Sequence, residues 1–302
     1  MALRIGVGLP TTRVGAEGGR DVRAAARHAE DLGLESVWAA DHLIPAVPIV
    51  DSTVALAAAA GATERVRLGF SVMILALRPL AWAAKQIGAL QHVSGDRVLL
   101  GVGVSGPPHG TAAWDAVGVP YTDRGARTDA ALAGLPDLLA GRPTALDSEA
   151  GRPKVTLAPA ASMPPVLIGG NGAVALRRAA RFGDGWFPSA ITPADLTAGL
   201  AELRSRAAGL GRPAPSVTVG VPTSFHADGT ARRALVEGLA QGYGIPAEQA
   251  ATIPVTGDPD EAAESLTAYA KAGADRVVLM ASGPDWRRHY ELAAATSEIL
   301  RR

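Results

Sequence analysis

The feature that most constrains the fold is an alternation of short apolar segments with longer amphipathic or alanine-rich segments, repeated eight times along the chain. Such alternation is typical of β-strand–α-helix repeats that build a parallel sheet. Segments 98–100 and 277–279 are apolar at every position, as expected for strands buried on both faces. We therefore predict an α/β fold. The predicted strands are 4–9, 36–40, 66–74, 98–104, 166–168, 185–187, 216–221 and 276–280, and the predicted helices are 20–32, 52–63, 80–93, 124–139, 173–182, 193–208, 259–272 and 285–300.

Eight strands are the number that closes a (β/α)8 barrel, or TIM barrel. A doubly wound open sheet would give the same alternation, and only the count of eight favours the barrel. The length of 302 residues suits one large barrel or two ordinary domains. No charge block, repeat or linker marks a boundary, so we predict one barrel domain over residues 1–302. Two long connections are predicted as insertions: 141–165, with a short hairpin, and 223–257, with a helix at 231–241.

Charge and cysteine content exclude several classes of function. Lysine plus arginine equals aspartate plus glutamate at 29 each, so no overall charge would attract nucleic acid or an anionic membrane. The absence of cysteine excludes disulfides, thiolate metal sites and a cysteine nucleophile. The first residues lack the features of a signal peptide, and no apolar run reaches membrane-spanning length. We expect a cytoplasmic protein that acts on a small molecule, without nucleic-acid or membrane partners.

In barrels of this kind the active site lies at the carboxyl ends of the strands, so the residues after each apolar run are the candidates for function. Polar and flexible residues cluster there. They are Pro10, Thr11 and Thr12 after the first predicted strand, Asp41 and His42 after the second, 71–74 in the third, Gly101, Gly103 and Ser105 in the fourth, and 169–172 after the fifth.

His42 is the candidate for acid–base chemistry, because an imidazole exchanges protons near neutral pH. The alternative is that Asp41 caps the following helix and His42 is an inert loop residue. An isolated Asp–His pair favours that alternative, and only the neighbouring motifs favour the catalytic interpretation.

Small residues at two strand ends suggest contact with a cofactor. The segment 169–172, Gly-Gly-Asn-Gly, lies between a strand and a helix, where bare backbone N–H groups and the helix dipole favour a phosphate. An ordinary glycine-rich turn is the alternative. Gly101, Gly103 and Ser105 form a second strand end where a flat ring could approach the backbone, although glycines needed only for turning would look the same.

The tryptophans are predicted mainly to pack in the core, because each lies beside an apolar face. Trp38, Trp82 and Trp186 also lie where a pocket could use them. We find no HxxxH motif or carboxylate cluster with ligand spacing, so no metal site is predicted. No strand–turn–helix carries a GxSxG motif, which excludes a serine nucleophile elbow.

Four ordered motifs resemble the luciferase-like flavin and coenzyme F420-dependent oxidoreductases over nearly the whole chain. These motifs are AEDLGLESVW at 29–38 running into Asp41 and His42, RP at 78–79 with AK at 84–85, SGDR at 94–97 with LGVG at 100–103, and PVLIGG at 165–170 with GDGW at 183–186.

The resemblance implies a (β/α)8 barrel with a flavin or deazaflavin ring across its carboxyl-terminal face. By position, His42 resembles the histidine beside the redox carbon of the deazaflavin in the F420-dependent branch. The resemblance assigns the remaining cofactor-binding positions to Asp41 before that histidine, to Ser71 and Val72 in a bulge that often contains a non-proline cis peptide, to Gly103, Val104 and Ser105 near the ring, and to Gly169, Gly170, Asn171 and Gly172 as the phosphate loop.

The resemblance also implies a homodimer. The alanine-rich helices 52–63 and 80–93 have small side chains that permit close packing between subunits. Packing of these helices on their own barrel is the alternative.

The sequence departs from the sugar-phosphate dehydrogenases of this family. Gly106, Ala190 and Ala251 stand about where those enzymes have a glutamate and lysines, so a sugar phosphate is not the expected substrate. Arg287 and Arg288 remain as anion contacts, but a surface pair at a helix start is the favoured interpretation.

We predict a coenzyme F420-dependent oxidoreductase that transfers a hydride between reduced deazaflavin and a neutral organic substrate, by reduction of C=C, C=N or C=O. Thr11, Thr12, Trp38, Trp82, His109 and Trp114 would line its largely neutral pocket. The first alternative is a monooxygenase that uses reduced FMN and oxygen; the cofactor ring itself decides between these chemistries. A second alternative is a non-catalytic cofactor-binding protein.

Overall fold

The computed structural model describes residues 3–12, 21–45, 47–106, 110–147, 149–225, 229–281 and 285–302. Within these ranges the strands are β1 (Arg4–Gly8), β2 (Ser36–Ala39), β3 (Arg67–Phe70), β4 (Val98–Val102), β5 (Thr144–Ala145), β6 (Lys154–Val155), β7 (Val166–Gly169), β8 (Gly185–Phe187), β9 (Ser216–Phe225), β10 (Val255–Gly257) and β11 (Arg276–Ala281).

Eight parallel strands form a closed barrel. Their order is β1, β2, β3, β4, β7, β8, β9 and β11, and β11 pairs with β1. The register is continuous around the ring: Val7 lies opposite Val37 on one side and Leu279 on the other, and β8 pairs with β9 through Trp186 and Val217. The (β/α)8 barrel is therefore confirmed, and the open-sheet alternative is wrong.

All eight predicted helices are present, with ends that differ by up to three residues. Two short helices, α4 and α9, were not expected from the sequence because each has only one turn or so of regular backbone. The helices are α1 (Val22–Asp31), α2 (Ser52–Ala60), α3 (Leu80–Ser94), α4 (Ala112–Ala116), α5 (Arg124–Leu139), α6 (Ala173–Phe182), α7 (Pro193–Gly209), α8 (Gly229–Tyr243), α9 (Ala247–Ala250), α10 (Pro259–Lys271) and α11 (Trp286–Ile299).

The two long connections carry their own secondary structure. Strands β5 and β6 pair as an antiparallel hairpin within 141–165, as predicted. The second connection begins later than expected, because β9 continues through Phe225 and pairs there with β10. Helix α8 lies in this connection, at the position where a helix was predicted.

Two of the predicted strands end two or more residues early at the carboxyl end of the barrel. β3 stops at Phe70 instead of residue 74, and β4 stops at Val102 instead of residue 104. The chain bulges after β3: the Met73 N–H donates to the Gly101 carbonyl, and the Gly103 N–H donates to the Met73 carbonyl. The apolar segment 71–74 thus departs from regular strand geometry at the carboxyl end of the barrel.

The core has an outer layer, between strands and helices, and a separate interior layer. Trp38 fills the barrel centre with the side chains of Leu99, Leu167, Phe187 and Val278. A Cβ atom at Gly69 would lie 2.0 Å from Trp38 Cε3, so only glycine at that position leaves room for the indole. One aromatic side chain therefore takes the space that several aliphatic side chains fill in other barrels.

Over the part of the chain that the structure describes, no helix has both the length and the apolar character needed to cross a bilayer.

Candidate active site

The mouth of the barrel at the carboxyl ends of the strands is lined by small residues. A Cβ atom at Gly103 would lie 2.4 Å from Val72 Cγ2, and one at Gly169 would lie 3.2 Å from Val72 Cγ1. On the other side, Gly8 faces Met280 and Gly220 faces Ser189. Glycine at these positions therefore leaves room for the neighbouring side chains of Val72, Met280 and Ser189 at the mouth of the barrel.

The bulge that carries Val72 has the unusual backbone expected from the family resemblance. The peptide bond between Ser71 and Val72 is cis. The Ser71 N–H donates to the Ala39 carbonyl at 2.9 Å, which ties the bulge to β2. The Ser71 hydroxyl is buried and has no hydrogen-bond partner among the described residues, so it is a polar group in need of a ligand atom or water.

The Asp41 carboxylate is fully used by the protein. It accepts hydrogen bonds from Arg78 Nη1 and Nη2, both at 2.7 Å, from the Ile74 N–H at 2.9 Å and from Ser52 Oγ at 3.1 Å. This side chain therefore anchors neighbouring segments of the protein, and its contact with a cofactor stays a prediction. The helix-cap alternative is wrong, because Asp51 caps α2 by accepting from the Val54 N–H.

Charge reinforces this anchor. Burial disfavours the charged form of Arg78, but its hydrogen bonds and ion pair with Asp41, helped by Asp51 at 3.8 Å, outweigh that effect and raise the pKa of Arg78. Arg78 therefore stays protonated in a bidentate pair at the edge of the site.

His42 lies exposed beside this anchor, in a small depression whose lining is polar and apolar in about equal parts. Ser105, which has a positive φ of 58°, turns the end of the β4 segment into the same depression. The described lining comprises Asp41, His42, Leu43, Ile44, Ile74, Leu77, Ser105, Gly110, Ala113 and Trp114.

The loop between β7 and α6 forms a second feature of this face. Gly170 has a φ of 109°, and its carbonyl accepts from Trp186 Nε1 at 2.8 Å. The amide of Asn171 bonds both the carbonyl and the N–H of Ser189, so this side chain fixes the loop. Gly172 precedes α6 without a side-chain cap, and nothing lies within 4 Å of the place where its Cβ would be. The first N–H groups of α6 are thus accessible to an anion.

The residues predicted to bind the substrate lie in different parts of the structure. Thr11 is buried, and its carbonyl accepts from the Val50 N–H. Trp38 is 1% exposed and Trp82 is 67% exposed on the outer surface of α3, so neither lines the depression. Trp38 points inward because alternation along β2 directs it into the barrel, where it donates to Ser36 Oγ at 2.8 Å. His109 lies outside the described residues.

Comparison with known proteins identifies the family. The sequence model of the luciferase-like monooxygenase family matches residues 3–244. The chain belongs to this family. This luciferase-like chain is 28% identical to the 5,10-methylenetetrahydromethanopterin reductase of Methanolobus tindarius over 212 residues, which cover 69% of the chain and 62% of the reductase. The chain spans 58% to 62% of the length of the first curated relatives that it matches.

Solved structures show the luciferase-like fold from end to end. A coenzyme F420-dependent secondary alcohol dehydrogenase, in complex with an F420–acetone adduct, matches with a TM-score of 0.84 and 18% identity over 100% of both chains. The oxygenating component of 3,6-diketocamphane monooxygenase from Pseudomonas putida, in complex with FMN, matches with a TM-score of 0.76 and 16% identity over 99% of this chain and 98% of the other.

Several residues of this luciferase-like site were missed from the sequence. Leu43, Ile44 and Leu77 line the depression, and Arg78 and Ser52 hold Asp41. The Arg-Pro pair at 78–79 was part of a recognised motif, and a lone arginine in an apolar stretch was an available signal for an ion pair. No signal in the sequence marks Ser52.

Among the described residues, no group of three or more histidine or acidic side chains could hold a metal ion.

Proposed function

We propose that this protein is an oxidoreductase that uses coenzyme F420 to convert a neutral organic substrate. The observation that carries the proposal is the common location of His42, the unpartnered Ser71 hydroxyl and the open amino end of α6, all at the carboxyl ends of the barrel strands. The two structural relatives hold F420, as an acetone adduct, and FMN, which favours a ligand with a ring and a phosphate as the occupant of this site.

The residues present fit such a cofactor. The N–H groups after Gly172 suit a phosphate, because no side chain obstructs their approach. The unpartnered Ser71 hydroxyl, beside Val72, offers the cofactor ring a hydrogen bond. We include Gly103, Val104, Ser105, Gly169 and Gly170 in this site on the basis of family position and location.

The role that we propose for each residue follows from its surroundings. When bound, coenzyme F420 supplies two-electron hydride chemistry at its ring. His42 holds or accepts the proton at its imidazole, since it is exposed at the mouth beside the depression. Leu77 and the half-exposed side chains of Leu43 and Ile44 offer apolar contacts to an uncharged substrate.

A reduced-FMN monooxygenase is the second candidate. It is favoured by the FMN-bound monooxygenase of the same fold, and the open end of α6 would serve the phosphate of either cofactor. Phosphate binding therefore does not distinguish the two candidate functions. They differ in the cofactor ring, which is a deazaflavin in one and a flavin in the other.

A titration tests the proposal. We expect F420 to quench the protein's tryptophan fluorescence at a concentration at least about tenfold below that required for FMN, a preference of about 1.4 kcal/mol. Single-turnover oxidation of reduced F420 with a panel of neutral enones, imines and ketones then tests the reaction. Binding of FMN alone, with oxygen uptake, would establish the monooxygenase instead.

We also propose a homodimer through α2 and α3. Val54, Trp82 and Val93 are exposed on these neighbouring helices, and α2 has no charged residue. Such an apolar surface is typical of a subunit interface.

Light scattering tests the dimer. Trp82→Ser should shift the mass toward the monomer, whereas Leu210→Ser, at another exposed apolar side chain, should not. A monomer mass for the wild-type protein over a wide concentration range would rule out the dimer.

A further inference from the structure

The ion pair of Asp41 and Arg78 connects four positions at the carboxyl end of the barrel. Asp41 follows β2, Arg78 lies two residues before α3, and the other two donors to the carboxylate come from the first residue of α2 and from the bulge after β3. Arg78 adds contacts of its own with Asp51, at 3.8 Å, and with the Ile74 carbonyl, at 3.4 Å. The carboxylate and the guanidinium together thus set the relative positions of these segments.

The same carboxylate is adjacent to both parts of the proposed catalytic site. Asp41 is the residue before His42, so fixing its side chain restricts the backbone that carries the imidazole. The Ile74 N–H that donates to Asp41 lies at one end of the 71–74 bulge, and the Met73 peptide is held to β4. Asp41 and β4 therefore restrain the bulge from opposite sides.

The geometry of the ion pair with Asp41 depends on an arginine at position 78. Two parallel hydrogen bonds at 2.7 Å fix the orientation of both planes, and Arg78 Nη1 also lies 3.4 Å from the Ile74 carbonyl. A lysine would keep the positive charge but would replace the planar fork with a single flexible ammonium group. Substitution by lysine therefore removes orientation while retaining charge.

We propose that Asp41 and Arg78 are positioning residues that hold His42 and the 71–74 bulge in register, and so set the orientation of the bound cofactor ring relative to His42. This inference rests on the proposed function. Neither side chain is assigned a contact with cofactor or substrate, because the carboxylate is occupied by protein donors and the guanidinium by the carboxylate.

The opposite end of the barrel supplies a matched control. Arg276 donates to both oxygens of Glu35, from Nε at 2.7 Å and from Nη2 at 2.6 Å. This pair is also bidentate and largely buried, but it joins the amino ends of β11 and β2. Arg276→Lys therefore makes the same chemical change away from the proposed site.

The experiment compares Arg78→Lys with Arg276→Lys in the full-length protein. For each we measure the dissociation constant for F420, or for FMN where the wild type binds FMN, together with the visible circular dichroism of the bound ring and the melting temperature. Arg78→Lys should weaken cofactor binding about tenfold and reduce the induced dichroism by at least about half, since misplacement of about 1 Å disturbs such a site strongly. Arg276→Lys should lower the melting temperature but leave binding and dichroism of the folded protein unchanged.

Ser52→Ala gives a milder test that keeps the ion pair, and it decides the question if Arg78→Lys does not fold. Loss of one donor to Asp41 should weaken binding about threefold, with a smaller change in dichroism. Wild-type binding and dichroism in the folded variants would overturn the positioning role and leave the proposed function intact. Failure of the wild-type protein to bind either cofactor would overturn both.

Discussion

The two ends of the barrel differ in how far their polar groups are satisfied by the protein itself. At the amino end, Glu30 accepts from the N–H groups of Glu64, Arg65 and Val66, and Arg97 donates from all three guanidinium nitrogens to five acceptors around the ends of α2 and α3. At the carboxyl end, the Ser71 hydroxyl is unpartnered among the described residues and the first turn of α6 is open. Saturated polar groups stabilise the fold, whereas unsaturated groups can bind a ligand.

The pKa values of two carboxylates at the amino end agree with this contrast. Burial by itself would raise the pKa of Glu30, but three backbone hydrogen bonds outweigh it and lower the pKa. Burial likewise opposes the charge of Glu35, while Arg276 lowers its pKa. Each carboxylate therefore stabilises the folded state above its ordinary pKa, and this contribution is lost as the pH falls through the lowered folded value. The amino end is thus a source of stability at neutral pH.

The largest effect that tests this contrast is expected at His42. His42→Ala should lower kcat by about two to four orders of magnitude, because the proton-transfer group is lost. Its melting temperature should stay within about 1 °C of wild type, since the side chain is exposed. The control is His92→Ala, at an exposed histidine in the last turn of α3.

Near-normal turnover of His42→Ala, with chemistry shown to be rate-limiting, would mean that His42 is only a wall of the pocket. Another donor or water would then have to supply the proton.

A second expected effect concerns stability alone. Arg97→Met should destabilise the fold by about 3 kcal/mol or more, because several buried acceptors lose their donor. The melting temperature should fall by roughly 5 to 10 °C. Cofactor affinity, measured well below that temperature, should not change. A loss of cofactor affinity in folded Arg97→Met would show that the two ends of the barrel are coupled. It would contradict the assignment of stability to one end and ligand binding to the other.

The smallest effect tests the phosphate loop. Gly170 is unsuited to substitution because its positive φ would strain any side chain, whereas Gly172 has a φ of −86° and open space around it. Gly172→Asp and Gly172→Asn both supply a good helix cap and differ in charge. The aspartate variant should bind cofactor about tenfold more weakly than the asparagine variant, owing to repulsion of the phosphate. Equal dissociation constants would remove the phosphate assignment.

The eight strand–helix repeats follow from the sequence alone, as does the prediction that the functional site lies at the carboxyl ends of the strands. Both follow from local properties: apolar periodicity identifies each element, and polar or glycine residues mark where it ends. The position of the cis bulge also followed from family motifs, and the structure has it between Ser71 and Val72. The catalytic role of His42 and the phosphate loop remain predictions from this same local information.

The contacts that each side chain makes could be seen only in the tertiary structure. Asp41 finds its donors 11, 33 and 37 residues away, and these distances in sequence are bridged only when the barrel closes. Trp38 and Trp82 were assigned to one pocket, yet one fills the barrel interior and the other faces outward. Because β2 is apolar on both faces, its composition does not reveal which face turns inward; closure of the sheet decides this.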